Sequence, residues 1–206
     1  MLVNSGRMLA SAQAIEPRML RCLATALLAT TLIAASRVEL RLTGLSGDQV
    51  DPLAAPQGTR AIVLLFLSVD CPISNKYAPE VRRLHDAFAP QGVVFRLIYP
   101  NPAESAESIR VHLSQYGYRG QALRDPRHEL VKVSQATITP EAVVYDATGR
   151  LLYRGRIDDR FVSPGLQRPR PTRRDLDDAL SALLAGRPVP QASAPAVGCF
   201  IADFAP

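Results

Sequence analysis

The chain has 206 residues, 47% of them hydrophobic and 21% charged, with a formal net charge of +5. That size and balance suit one globular domain with its own core plus terminal extensions. The first 36 residues hold Arg7, Arg18, Arg21 and Glu16 and contribute +2, so the body carries only about +3. Its arginines are scattered without an aromatic-basic pattern, and nothing here points to nucleic acid.

Arg18 and Arg21 precede an uncharged run over residues 22–36, which closes on Ala34, Ala35 and Ser36. A membrane span needs about 20 apolar residues, and this run is shorter. Basic residues, a short apolar stretch and small residues at its end fit a secretory signal peptide cleaved near Ser36. The alternative is an uncleaved anchor. Either way the expected location is exported, periplasmic or membrane-anchored facing the periplasm, with membrane contact only through this segment. Cys22 would leave with the signal, so the mature chain keeps Cys71 and Cys199. In an exported protein two cysteines usually mean one disulfide or a redox pair.

Residues 38–42 alternate apolar and charged side chains, as a half-buried strand does, and residues 44–51 read as a turn and a short extension. Residues 61–67 are continuously apolar, the pattern of a strand buried on both faces. Pro72 can open a helix without losing a needed N–H. Ile73, Tyr77, Val81, Leu84 and Phe88 then recur at helical spacing, with a kink expected at Pro79. Gly92 ends this unit and residues 93–99 form the next strand, which predicts a right-handed parallel crossover. Asn101-Pro102-Ala103-Glu104 reads as a helix start with Asn101 as cap, and Ile109, Leu113 and Tyr116 as the buried face. A short strand around Ala122 and Leu123 and a small helix over residues 129–134 follow.

Thr137-Ile138-Thr139-Pro140 leads into a hairpin of residues 142–146 and 151–155, turning at Ala147-Thr148-Gly149. Residues 163–171 are Pro- and Arg-rich and read as a loop. Residues 172–185 are a final helix: Thr172 and Asp175 resemble a capping box, Leu176, Ala179, Leu180, Leu183 and Leu184 form a stripe, and Gly186 with Pro188 stops it. The expected organisation is a signal or anchor over residues 1–36, a domain over 37–187 and an extended Ala/Pro-rich tail over 188–206.

The chemistry concentrates in residues 64–75, where an apolar run ends in Ser68-Val69-Asp70, then Cys71, then Pro72. One thiol therefore stands at a helix N-terminus. Unpaired N–H groups and the positive end of the helix dipole favour an anion there, and a stabilised thiolate means a lowered pKa.

Two motifs, the Cys71-Pro72 that opens a proline-containing helix and the Ile138-Thr139-Pro140 before a hairpin, resemble the thioredoxin-like superfamily over about residues 38–185. The likeness is strongest to its redoxin branch, which includes peroxiredoxins and exported thiol-disulfide proteins. The resemblance implies an α/β thioredoxin-like fold with a central mixed sheet flanked by helices. It also implies a cis bond before Pro140 that turns the backbone of Thr139 toward Cys71. The chain departs from the dithiol pattern at Ser74, which gives Cys71-Pro72-Ile73-Ser74. It departs from the peroxiredoxin pattern at Leu64, where a proline is expected, although Ser68 supplies the matching hydroxyl.

Cys71 is then the candidate nucleophile toward a peroxide or a disulfide, giving a sulfenic acid or a mixed disulfide. Cys199 is the candidate resolving thiol, in a tail whose Val197, Phe200 and Ile201 are apolar enough to dock; a static disulfide, or pairing with another protein, are its alternatives. Ser68 and Ser74 are candidate hydrogen-bond donors to the thiolate, Asp70 a solvent-facing residue or a helix cap, and Asn75 and Lys76 a polar rim. Arg156 is a candidate peroxidatic arginine, with an ordinary salt bridge as the competing role. Asp158 and Asp159 read as a polar turn, and Glu104, Glu107 and Glu129 as solvated helix faces.

The expected function is an exported thiol-dependent oxidoreductase that meets a thiol or disulfide protein or a small peroxide, with no bound cofactor implied. Two other classes stay open. One is a non-catalytic module that binds an extracytoplasmic partner. The other is a copper chaperone, although Asn75 stands where such a site has its second cysteine, and His85, His112 and His128 read as helix residues rather than ligands.

Overall fold

The computed structural model of the chain describes residues 40–202. The expected signal segment with Cys22, and the start of the strand expected at Val38, lie outside the described residues.

In chain order the elements are β1 (Leu42–Gly44), β2 (Gln49–Val50), β3 (Ala61–Phe66), α1 (Pro72–Phe88), β4 (Val93–Tyr99), α2 (Ala106–Tyr116), β5 (Gln121–Arg124), α3 (Glu129–Ser134), β6 (Ile138–Thr139), β7 (Glu141–Asp146), β8 (Leu151–Gly155), β9 (Phe161–Ser163), β10 (Leu166–Gln167), α4 (Asp175–Leu184), β11 (Ser193–Ala194) and β12 (Cys199–Phe200). A mixed sheet runs in the order β11-β8-β7-β3-β4-β5-β1-β2. β3, β4 and β5 are parallel neighbours, and β7 pairs antiparallel to β3 and to β8.

β3 is fully buried, and its side chains alternate between two cores, as a strand of period two requires. Ala61, Val63 and Leu65 join Tyr77, Val81, Leu84 and Phe88 of α1, Ile109 of α2 and Leu176, Ala179 and Leu180 of α4. Ile62, Leu64 and Phe66 face the other core with Ile98, Leu123, Leu130, Val143 and Tyr145. Each such large apolar side chain contributes about 1.5–3 kcal/mol on burial, so the strand that leads to Cys71 is anchored on both faces.

Several expected boundaries move. The helix foreseen at Asn101 starts at Ala106, because Ser105 is the residue that caps it, accepting the Ser108 N–H at 3.0 Å. Asn101 instead closes a turn by accepting the Ala103 N–H at 2.9 Å. The last helix begins at Asp175 rather than Thr172, and no side chain caps it. Thr172 is drawn away by Asp159, which accepts from both its hydroxyl and its N–H. Within residues expected as a plain loop, β9 and β10 form a small hairpin.

The tail is also more structured than an extended arm. β11 adds a parallel edge strand to β8, with Ala194 opposite Gly155. A Cβ at Gly155 would overlap the Ala194 backbone, so only glycine lets this strand sit so close. β12 pairs antiparallel with β6, Cys199 opposite Thr139 and Phe200 opposite Ile138. Among the described residues no helix is long and apolar enough to cross a membrane.

Candidate active site

Cys71 is the N-cap residue of α1, with Pro72 in the first helical turn. β3 delivers it through Leu67-Ser68-Val69-Asp70, and Asn75 N–H makes the first helical bond to the Cys71 carbonyl at 3.1 Å. The helix N-terminus thus lies directly at the sulfur, and the side chain is buried, 1% exposed.

The Thr139–Pro140 peptide is cis. The Thr139 carbonyl accepts from the Cys71 thiol at 3.0 Å. On the far side of Thr139, β12 brings the second sulfur: Cys199 Sγ donates to Cys71 Sγ at 2.7 Å, and the Thr139 hydroxyl donates to the Cys199 carbonyl at 3.4 Å. Both cysteines are free thiols, separated by 128 residues of chain yet in direct contact. Gly198 makes this approach possible, since a Cβ there would run into the Thr139 carbonyl.

The two thiols are driven apart electrostatically. Burial pushes the Cys71 thiol up. The hydrogen bond from the Cys199 side chain and the Ser74 N–H, with the Ser74 hydroxyl nearby though outside hydrogen-bond geometry, outweighs it and holds Cys71 below the usual thiol value. Cys199 is pushed up to about 12, first by burial and then by its commitment to Cys71. The two shifts run in opposite directions, so Cys71 is the thiol that ionises first while Cys199 holds its proton.

Ser74 is fully buried, and its hydroxyl has no partner in hydrogen-bond geometry among the described residues. An unpaired buried hydroxyl costs free energy. Beside Cys71, it favours the ionised form of that sulfur. Tyr118 fixes this turn from below, donating to the Ser74 carbonyl at 2.6 Å.

Other expectations are corrected. Ser68 does not point to the sulfur; its hydroxyl donates to Glu104 Oε1 at 2.7 Å, and Val69 N–H donates to the same oxygen at 2.8 Å. Glu104 is therefore buried rather than on a solvated helix face. Asp70 is exposed, the solvent-facing one of its two expected roles, because the cap position falls on Cys71. Lys76 turns away from the thiol and lies over the Phe161 ring, 5.9 Å from its centroid. Asn75 forms an inner brace instead of a rim, donating to the Val69 carbonyl at 3.2 Å and contacting His112 Nε2 at 2.7 Å. His112, whose Nδ1 contacts Tyr99 Oη at 2.9 Å, is buried, and desolvation lowers its pKa.

Arg156 is held by Asp175, Nε to Oδ2 at 2.7 Å, which makes it a strut between β8 and α4 rather than a group poised at the sulfur. Asp158 accepts from Tyr77 Oη at 2.6 Å, and Asp159 is held at about 2: burial opposes ionisation, but bonds from Thr172 and Arg173 overcome it. Both brace the turn after β8 against its neighbours. Of the tail residues expected to dock, Val197 and Ile201 pack against the cores, whereas Phe200 is 83% exposed. Among the described residues no group of three or more His, Cys, Asp and Glu side chains forms a metal site.

Glu104 and Gly198 were missed by sequence reasoning. Gly198 carried a signal, a glycine directly before a lone cysteine in an otherwise Ala/Pro-rich tail. Glu104 carried none, since its partners lie 35 and 36 residues away.

No family model matches the chain, and no curated protein matches it. Solved structures do. An uncharacterized conserved protein from Geobacillus kaustophilus is 30% identical with a TM-score of 0.67, over 79% of this chain and 87% of that one. A hypothetical protein from Sinorhizobium meliloti 1021 is 28% identical with the same TM-score, over 79% of this chain and 89% of that one. A secreted Mycobacterium tuberculosis disulfide oxidoreductase homologous to E. coli DsbE is 22% identical with a TM-score of 0.50, over 74% of this chain and 99% of that one, a likeness of fold. At that identity and coverage the chain belongs to the Geobacillus protein's family, and its mixed sheet flanked by helices, with a cis-proline facing the cysteine that opens α1, is a thioredoxin-like fold.

Proposed function

We propose that the chain is an exported thiol-disulfide oxidoreductase whose redox pair is Cys71 and Cys199. The observation that carries this reading is the 2.7 Å contact between the two sulfurs, held by the β12–β6 pairing. Cys71, as the lower-pKa thiol, attacks a disulfide of a partner protein. The partner's first sulfur leaves and a mixed disulfide forms on Cys71. Cys199 then attacks Cys71 Sγ, the partner's second sulfur leaves as a thiolate, and a Cys71–Cys199 disulfide remains. Run backwards, the same exchange oxidises a dithiol. The second thiol lost at Ser74 is thus supplied from the tail.

A disulfide is favoured over a peroxide as the target. Arg156 is committed to Asp175 and Ser68 to Glu104, so neither is free to polarise a peroxide. The signal-like segment over residues 1–36 supports export, as does the secreted disulfide oxidoreductase of the same fold. In this reading residues 37–187 carry Cys71, and the tail over residues 188–206 completes the site.

The test is alkylation with mass spectrometry on the reduced mature chain, before and after one equivalent of glutathione disulfide. The expected product is an intramolecular Cys71–Cys199 disulfide. Cys199→Ser should stop at a Cys71–glutathione adduct, and Cys71→Ser should give neither. If both wild-type thiols stay alkylatable, the redox reading fails and a partner-binding role takes its place.

A further inference from the structure

Glu104 is only 5% exposed, in the loop between β4 and α2. One of its oxygens anchors Ser68 and Val69, while Oε2 is buried and has no partner. Anchoring alone needs one acceptor, which a neutral glutamine would supply. Burying an ionisable group with half its capacity idle is costly, and such groups concentrate where protons are handled.

Beyond Ser68 lies a pocket of about 70 Å³, lined by Ser68, Pro100, Asn101, Thr139, Cys199 and the last tail residues. That is room for one or two waters, each occupying about 30 Å³ in the liquid. The Ser68 proton is committed to Glu104, so the lone pairs of its oxygen are left to accept from the pocket. A hydrogen-bonded path can therefore run from the Cys199 thiol through a pocket water and the Ser68 hydroxyl to Glu104.

We propose that Glu104, acting through Ser68, is the proton acceptor that releases Cys199 as the resolving thiolate. This rests on the reading of Cys71 and Cys199 as a redox pair and adds the proton path that pair requires. Of the causes that raise Cys199, burial persists once Cys71 is held in a mixed disulfide, so at neutral pH it is a poor nucleophile without a base. Burial raises the Glu104 carboxyl and Asp70 adds to this, while bonds from Ser68 and Val69 and the charge of Arg124 pull the other way. Tyr99 is the other titratable group facing Glu104, and Tyr118 faces Cys71.

In the step itself the proton passes from Cys199 to Glu104 as the sulfur pair attacks Cys71 Sγ. The Cys71–partner bond breaks and the Cys71–Cys199 bond forms. The departing thiolate takes a proton back from Glu104 or from solvent. One disulfide is made for each one broken, so no further oxidant enters.

The experiment uses the full chain, reduced, with glutathione disulfide as probe. Quenched samples are alkylated and weighed, which separates the Cys71–glutathione adduct from the Cys71–Cys199 disulfide, across pH 5 to 9. Glu104→Gln and Ser68→Ala should each slow conversion of adduct to disulfide by about 100-fold at neutral pH. Their rates should climb about tenfold per pH unit, where wild type levels off above the Glu104 titration. Adduct formation should keep its wild-type rate. Wild-type conversion with a wild-type pH profile in both variants overturns the relay, as does an equal slowing of adduct formation, which would mean a damaged loop. A wild-type chain that stops at the adduct, or never forms it, removes the redox pair itself and the relay with it.

Discussion

The two sulfurs touch, yet the regions that hold them have little in common. Cys71 is set by a strand buried on both faces and a helix of 17 residues, so moving it means opening the core. Cys199 is set by a two-residue strand, a few backbone bonds to residues 137–139 and the partial packing of Val197 and Ile201. Elements with few buried contacts open at low free energy. One half of the pair is thus part of the scaffold and the other is a detachable strand. Because β12 covers the β6 edge beside Cys71, the tail occupies the place where an extended segment of a partner would pair by strand addition.

The strongest test of that contrast is Gly198→Val. The new side chain meets the Thr139 carbonyl, and overpacking of this kind costs about 1–3 kcal/mol. The ratio of docked to released tail should fall roughly 5- to 150-fold. Disulfide formation between Cys71 and Cys199 should slow by a similar factor, while iodoacetamide reaches Cys71 faster. Thermal unfolding should barely move, because no core residue changes. Disulfide formation at the wild-type rate would show that the tail is as firmly built as α1.

The same contrast explains what could be read from the sequence. β3, β4, α1, α3 and the β7–β8 hairpin follow from local pattern, namely continuous apolar runs, helical spacing and Pro or Gly at the ends. Cys71 and Pro140 were visible because each sits at such a boundary, and Cys199 because it is the other cysteine left in the mature chain. The boundary errors arise where distant partners decide. Ser105 and Asn101 are both good caps, and the pull of Ser68 and Val69 on Glu104 favours the later start. Thr172 would cap α4 were it not bound to Asp159. β11 and β12 are two residues each, too short for any periodicity, and exist only through pairing.

A smaller effect should appear with pH in the reduced protein. In a released tail Cys199 would titrate near about 8.5, and Cys71 would lose the part of its lowering that Cys199 supplies. Docking lowers Cys71, which adds stability above its released value and loses it as pH falls through the docked Cys71 pKa. Docking raises Cys199 to about 12, which adds stability below 8.5 and loses it as pH rises toward 12. Tail docking should therefore be tightest near the ordinary thiol pKa and weaken on both sides. Amide chemical shifts of residues 199–201 followed from pH 5 to 11 would show a two-sided transition, and Cys199→Ser should remove it. A transition on the alkaline side alone would mean that Cys71 gains nothing from Cys199.

The smallest effect on the chemistry is expected at Arg156, which tests whether reactivity is confined to the two sulfur-bearing regions. Its guanidinium binds Asp175, whose side chain is 1% exposed and also touches Arg173 at 3.3 Å. Arg156→Ala removes both of its charge-assisted bonds to a buried carboxylate and leaves the Arg173 contact, a loss of about 1–3 kcal/mol. For a chain of this size that is a fall in Tm of about 5 °C. The Cys71 alkylation rate and its pH midpoint should stay at wild-type values, because Arg156 is absent from the groups that set the thiol. A variant that keeps its Tm but loses reactivity at Cys71 would restore Arg156 as a group acting on the sulfur, and with it the peroxide as target. Loss of Tm with reactivity intact leaves Arg156 as a strut between β8 and α4 and keeps a disulfide, rather than a peroxide, as the proposed target.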